Sequence, residues 1–212
     1  MVHDLDFNVL VHLVRPNATI IDVGANKGQS IRSIKEVLPS SIIHSFELNP
    51  EFHDVLPGIA AEYSDVTFYP VGLGRNEGQV TFYVPSACGV RYLEEASMVL
   101  EEYEKPWVKE RWAQRGEMTL EEFRATICSG DSFNFAPDLL KIDVEGAESE
   151  VTEGFKNTID RYRPILFVEN GDWPRIWPIL HPLGYRPYMP NKAYNGLIPF
   201  EGMRANTFYV AG

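Results

Sequence analysis

The chain has 212 residues, of which 44% are hydrophobic and 23% charged, and a formal net charge of −11. That length suits one domain, 1–212, built around a single core. No apolar run approaches the roughly 20 residues that cross a bilayer, so no membrane span is expected. The acid excess argues against a nucleic-acid partner, which asks for a basic face.

The first stretch, MVHDLDFNVLVHLVRP, carries two acids and no basic cluster before its apolar part. It reads as a first helix and not as a secretory leader. Only two cysteines occur, Cys88 and Cys128, without metal-ligand spacing. They are expected to be ordinary buried thiols in a cytoplasmic protein.

Strands are expected at 19–23, 42–48, 66–72, 138–144 and 164–170. These runs are β-branched and aromatic and are bounded by Gly, Pro, Asn or Asp. Helices are expected between them at 28–38, 50–61, 146–159 and 173–183. In 28–38, Ile31, Ile34 and Leu38 share one stripe; in 146–159, Ala147, Val151, Phe155 and Ile159 recur at spacing four. Such alternation predicts an α/β fold with a doubly wound, mostly parallel seven-stranded sheet. The runs 184–189 and 206–210 would end it in antiparallel strands.

The interval 73–130 interrupts this order. The run 78–84 is expected to pair with the strand before it through the turn GRNEG, and 98–118 to form a helical insert broken at Pro106. Lys105, Lys109, Arg111 and Arg115 are interleaved with Glu104 and Glu110 there, the pattern of a solvated helix face. Packing of the insert accounts for Tyr92, Tyr103, Trp107 and Trp112 better than stacking on a ligand.

The loop IIDVGANKGQS (20–30) follows the first strand. In a wound sheet, ligands bind beyond the C-terminal strand ends at this switch point. Gly24 permits a tight turn and close approach of a ligand, and Gly28 starts the helix. A dinucleotide loop would need glycines where Asn26 and Gln29 stand. Asp22 at the strand end would crowd a pyrophosphate and suits a cationic ligand instead. S-adenosylmethionine, with an ammonium and a sulfonium but no phosphate, matches. Glu47 ends the second strand, 23 residues after Gly24, where a carboxylate can accept both ribose hydroxyls. Leu48 and Gly72 join it as cofactor-lining positions.

A hydroxyl acceptor must lose its proton, to a base or to a metal-bound oxygen. KIDVEGAE (141–148) sets Lys141, Asp143 and Glu145 at period two on a strand end. Asp143 is expected as base or positioning group, with Glu145 and Glu169 holding acceptor hydroxyls. Glu145 and Glu148 could equally cap the next helix, and for Glu148 capping is the stronger expectation. Several carboxylates at one rim could also bind a divalent ion, although no metal site is expected. Of five histidines, His12 is the one to watch, because an N-terminal helix can roof the cleft. Ser97 is a weaker contact candidate.

The stretches IIDVGANKGQS, FELNP, VGLGRNEGQVTFYV, TLEEF, LLKIDVEGAE and LFVEN occur in this order over 19–170. They resemble the FkbM-type S-adenosylmethionine-dependent methyltransferases. The resemblance implies methyl transfer, usually to a hydroxyl oxygen on a sugar, a glycosylated product or a polyketide. It also implies that Asp22, Gly24, Asn26, Gly28 and Glu47 line the cofactor. The segment 85–117 is where such enzymes vary, so acceptor identity does not carry over. The expected function is therefore O-methylation of a small molecule or glycan. An NAD-dependent oxidoreductase and a nucleic-acid 2′-O-methyltransferase are the lesser alternatives.

Overall fold

The computed structural model describes residues 1–169, 171, 173–200 and 204–212. Five parallel strands form the centre of its main sheet: β1 (Thr19–Val23), β2 (Ile42–Phe46), β3 (Val66–Tyr69), β8 (Leu139–Ile142) and β9 (Ile165–Glu169). Three antiparallel strands extend it past β9: β12 (Asn206–Ala211), β10 (Tyr185–Pro190) and β11 (Leu197–Pro199). The order is β11-β10-β12-β9-β8-β1-β2-β3. Among the described residues the expected seven strands of this sheet are eight; the extra one is the three-residue edge strand β11, too short to read from its sequence.

Alternation along β1 buries both faces of the sheet. Ile20 packs with Leu139, Phe167 and Phe208 under α2 (Gln29–Val37), α3 (Leu56–Ala61) and α1 (Leu10–Leu13). Ile21 points the other way, joining Leu140, Leu166 and Tyr209 beneath α5 (Glu148–Gly154), α6 (Lys156–Tyr162) and α7 (Trp173–Leu180). The spacing-four set Ala147, Val151, Phe155 and Ile159 is buried as expected, although the single expected helix divides at Phe155.

The interval after β3 departs most from expectation. Pro70 cannot donate to a ladder, and the expected strand 66–72 splits into β3 and β4 (Gly72–Gly74). The run from Gly78 does not fold back on the strand before it. It becomes β5 (Gly78–Ala87), which pairs antiparallel with β7 (Thr119–Ser129), Phe82 opposite Phe123. Together with β6 (Val90–Arg91) they make a second sheet, β4-β7-β5-β6.

The insert is only partly helical. It holds short 3-10 turns and one α-helix, α4 (Pro106–Ala113), which Pro106 opens instead of interrupting. Tyr103, Val108 and Trp112 form its own small core with Ala87, whereas Trp107 is exposed. Its basic side chains are paired: Lys105 with Glu102, Lys109 with Glu104, and both Arg111 and Arg115 with Glu95. Cys88 is exposed, not buried, because it sits in the turn with Gly89 that joins β5 to β6; Cys128 is half-buried. No helix among the described residues is long and apolar enough to cross a membrane.

Candidate active site

The C-terminal ends of β1, β2 and β8 open into a cleft at the switch point. Gly24 turns with φ +84°, and a Cβ there would lie 1.8 Å from the Asp143 carbonyl oxygen. The backbone after β8 thus by itself requires a glycine at this turn. The Gly24 and Ala25 N–H groups both donate to the Phe46 carbonyl at 3.0 Å. Asn26 follows in left-handed conformation and donates its N–H to Glu47 Oε2 at 2.7 Å. Gly28, at φ +80°, precedes α2; a Cβ there would meet Ile59 at 2.6 Å.

Glu47 accepts a second backbone N–H, that of Asn49, on Oε1 at 2.7 Å. Burial raises its carboxyl above the ordinary range, and these two hydrogen bonds oppose the rise. Each carboxylate oxygen has further lone pairs, so the side chain is fixed yet still able to accept hydroxyls.

Gly24, Asn26, Glu47, Leu48 and Gly72 line the cleft. Gly28 lies behind the loop against α3, and Asp22 lies beneath it. Asp22 is wholly buried and stands in register between Ser45 and Lys141. It accepts the hydroxyls of Ser30 and Ser45 at 2.7 and 2.8 Å and pairs with Lys141 Nζ at 3.1 Å. The expectation that Asp22 meets a ligand cation is therefore corrected: its cation is Lys141. That ammonium also reaches Asp143 at 3.4 Å and the Gly24 carbonyl at 3.2 Å. Burial works against the charged lysine, but its two acid partners outweigh this and hold it above its usual range.

The insert roofs the cleft. Leu93, Glu94, Ala96 and Met98 face into it. Lys27 pairs with Glu94, Asn49 Nδ2 donates to the Leu93 carbonyl at 3.4 Å, and Arg91 pairs with Glu51 at 2.9 Å. Ser97 does not face a ligand; its Oγ donates to the Glu145 carbonyl at 2.5 Å. Lys27, Leu93 and Glu94 went unnoticed in the sequence, because such bridges join residues far apart in the chain.

At the mouth stand the three expected acids. Asp143 and Glu145 line the cleft, and Glu169 lies on the other side of Asp143. Oxygens of the three fall within 4.8 Å of one another, close enough to share a divalent ion or a proton. The Asp143 and Glu169 carboxyls are placed to share a hydrogen bond once one of them is protonated. Burial lifts the Asp143 carboxyl, but attraction to Lys141 and the bond to Glu169 more than reverse this, leaving it below the ordinary range. Burial and the Asp143 charge push Glu169 well up, so Glu169 holds the shared proton. Asn170 lies outside the described residues. Glu148 accepts the Gly146 N–H at 2.9 Å and so braces the turn before α5, which starts at Glu148 and not, as expected, at Gly146. Glu145 sits at φ +52°, uncommon for a residue with a Cβ.

Burial first, then neighbouring acids, raises Glu145 to about 8; burial raises Glu148 to about 7. Both groups bind more protons folded than unfolded, so the stability they contribute is complete below the ordinary carboxylate value of 4.5 and lost as pH rises through about 7 and 8. The thermal midpoint should accordingly fall between about pH 5 and about pH 8, and Glu145→Gln should flatten that decline. Scanning calorimetry across this range checks it; an equally steep decline in the variant contradicts the assignment.

The histidines are placed differently from expectation. His12 is exposed at the end of α1, with no part in the cleft. His3 instead comes near the acid pair and lines a hollow with Lys141, Asp143 and Glu169. His53 Nε2 donates to the Glu47 carbonyl, 2.9 Å away, and His44 stacks on Phe135.

The model of the Methyltransferase FkbM domain matches residues 22–187, most of the chain. This chain belongs to the FkbM methyltransferase family. A 2-O-methyltransferase, NoeI, of Sinorhizobium fredii (strain NBRC 101917 / NGR234) is 22% identical over 161 residues, 76% of this chain and 66% of that protein. The crystal structure of methyltransferase FkbM from Methylobacillus flagellatus KT superposes with a TM-score of 0.60 at 16% identity, over 93% of this chain and 45% of that one. A putative caffeoyl-CoA O-methyltransferase from Staphylococcus aureus gives 0.51 at 12%, over 100% and 85%. Both structures establish the methyltransferase-like α/β fold. This FkbM family member spans just under two thirds of the curated relative and less than half of the crystallised FkbM chain.

Proposed function

We propose that this FkbM-family chain is an S-adenosylmethionine-dependent O-methyltransferase acting on a hydroxyl of a small molecule or glycan. The observation that carries the reading is Glu47, held rigid by two backbone N–H groups at the lip of a cleft floored by Phe46, Leu73 and Phe82. A fixed carboxylate above an apolar floor suits a ribose joined to a planar base. The residues present fit the rest of the cofactor: Asn26 Oδ1 is buried with no hydrogen-bond partner among the described residues, and an ammonium would satisfy it. Glu47 would hold the ribose and Asn26 the amino-acid end. Bound there, the cofactor supplies a methyl carbon already activated by its sulfonium.

The chain's own groups then act on the acceptor. Asp143 is the ionised carboxylate at the mouth and takes the hydroxyl proton; protonated Glu169 donates a hydrogen bond that keeps it charged and oriented. Glu145 and the insert exclude water from above. The acceptor class is supported by the name of the Sinorhizobium relative, a 2-O-methyltransferase. A nucleic-acid acceptor fits poorly with a net charge of −11 and an acidic mouth. An NAD-dependent oxidoreductase fits poorly with the loop, since a pyrophosphate would face Glu47 and find no second glycine at Asn26.

Calorimetry with adenosylhomocysteine tests the cofactor assignment. Glu47→Ala should weaken binding roughly ten- to hundredfold, the loss of hydrogen bonds to a charged group worth about 1.5–3 kcal/mol. Glu47→Gln keeps one acceptor oxygen and guards against a general loss of fold. Unchanged affinity in both variants would exclude the ribose contact, and tight binding of a nicotinamide dinucleotide would favour the oxidoreductase.

A further inference from the structure

We propose that residues 91–96 form a gate over the cofactor cleft, held shut by polar contacts from its tip to the opposite lip, and that an adenosyl ligand enters and leaves only when those contacts part. This rests on the cofactor reading above. The cleft encloses about 70 Å³, whereas clefts that hold small-molecule ligands run to roughly 300–1,000 Å³. Room for the ligand has to come from one of the walls. The floor, Phe46, Leu73 and Phe82, is buried and close-packed. The roof is not: Glu94 is exposed, and Leu93 and Ala96 are half-buried.

Two sets of contacts hold this strap, and they differ in strength. Its rear is tied to the insert. Glu95 pairs with Arg111 at 2.7 Å and with Arg115 at 2.5 Å, and its carbonyl lies 2.8 Å from the Tyr103 hydroxyl. Ser97 exchanges both backbone hydrogen bonds with Tyr83, at 2.8 and 3.1 Å, and its Oγ donates to the Glu145 carbonyl, which pins this end at the mouth. The front is tied across the cleft by surface groups. Glu94 pairs with Lys27, the Leu93 carbonyl accepts Asn49 Nδ2 at a long 3.4 Å, and Arg91 pairs with Glu51 at 2.9 Å. The Lys27 and Glu94 side chains are 57% and 46% exposed, and an ion pair so open to water contributes little. The gate therefore parts on the Lys27 side and hinges near Ser97.

The latch closes onto the loop that would hold the ligand. Lys27 follows Asn26, whose N–H is held by Glu47, so the tip of the strap meets the same lip as the ribose and the amino-acid end. The hydrogen bond from Lys27 holds the Glu94 carboxyl below its ordinary range, and the latch is charged at neutral pH.

Stopped-flow binding of adenosylhomocysteine at low salt tests the gate. Glu94→Lys sets like charges at the latch and should speed both association and release about three- to tenfold, the effect of losing one exposed pair and adding a repulsion. Adding Lys27→Glu to Glu94→Lys restores the pair with its signs exchanged and should bring both rates back. Faster release with unchanged association would mean that Glu94 merely touches the ligand, and overturns the gate. Rates that Glu94→Lys leaves unaltered, or that the exchange fails to restore, overturn it as well, and in each case the cofactor reading stands because the ligand binds. A wild type that does not bind adenosylhomocysteine removes that reading and the gate together.

Discussion

Lys141→Met is expected to lower the unfolding free energy by about 3–5 kcal/mol, the cost of removing one member of a buried charge pair. Nothing else in the site has comparable leverage. Lys141 is 4% exposed, and within 3.4 Å of its ammonium lie Asp22, Asp143 and the Gly24 carbonyl. Asp22 has no water to turn to, being wholly buried. Methionine fills the volume but leaves Asp22 with only two serine hydroxyls for its charge. The buried acid must then take up a proton to remain folded. A carboxyl raised in the fold loses its stability contribution as pH rises, so the variant should recover part of its deficit between about pH 7 and about pH 5. Urea unfolding at both pH values measures this. A loss under 1 kcal/mol, or a deficit that grows as pH falls, would show that Lys141 does not neutralise Asp22.

The same lysine shows what the sequence could and could not reveal. KIDVEGAE places Lys141 and Asp143 two residues apart, hence on one side of β8, and that relation holds. Which acid faces the cleft depends on neighbouring strands. Asp22 is in register with Lys141 on one side and Ser45 on the other, and only the assembled sheet shows that these groups consume its charge. Glu47 was legible because it follows an apolar run and ends a strand beside the glycine loop. Its two backbone donors, Asn26 and Asn49, were not, since they depend on the left-handed turn at Asn26. The strand β7 was hidden for another reason. Glu121, Glu122 and Arg124 break its apolar run, yet they are tolerated because all three are exposed. His3 and Ser33 meet across 30 residues of chain, a contact that no local pattern encodes. The central sheet, by contrast, was readable from β-branched runs that must be buried on both faces.

Asp143→Asn should lower the rate of methyl transfer by about 10²–10⁴-fold, the range for loss of a positioned general base, with adenosylhomocysteine affinity changed only a fewfold. The depressed proton affinity of Asp143 is compatible with this role. Attack on a sulfonium methyl leaves the acceptor oxygen increasingly positive as the new bond forms. Its proton therefore becomes acidic late, and a weak carboxylate base then suffices. A stronger base would cost more to desolvate at the mouth and would be protonated before the acceptor arrived. Glu169 and Lys141 together keep Asp143 ionised, one by donating its proton in a hydrogen bond and the other by charge. Removing that charge in Asp143→Asn also relieves Glu169, whose high proton affinity derives from burial and then from Asp143. Glu169 can ionise more readily in the variant and stand in as an imperfect base. Residual activity should consequently rise with pH, and Glu169→Gln added to Asp143→Asn should abolish that rise. Single-turnover rates with a labelled methyl donor, followed against pH for an alcohol the wild type methylates, provide the measurement. A single variant as fast as the wild type would move the base elsewhere, and a residual rate indifferent to both pH and Glu169 would dissolve the pair.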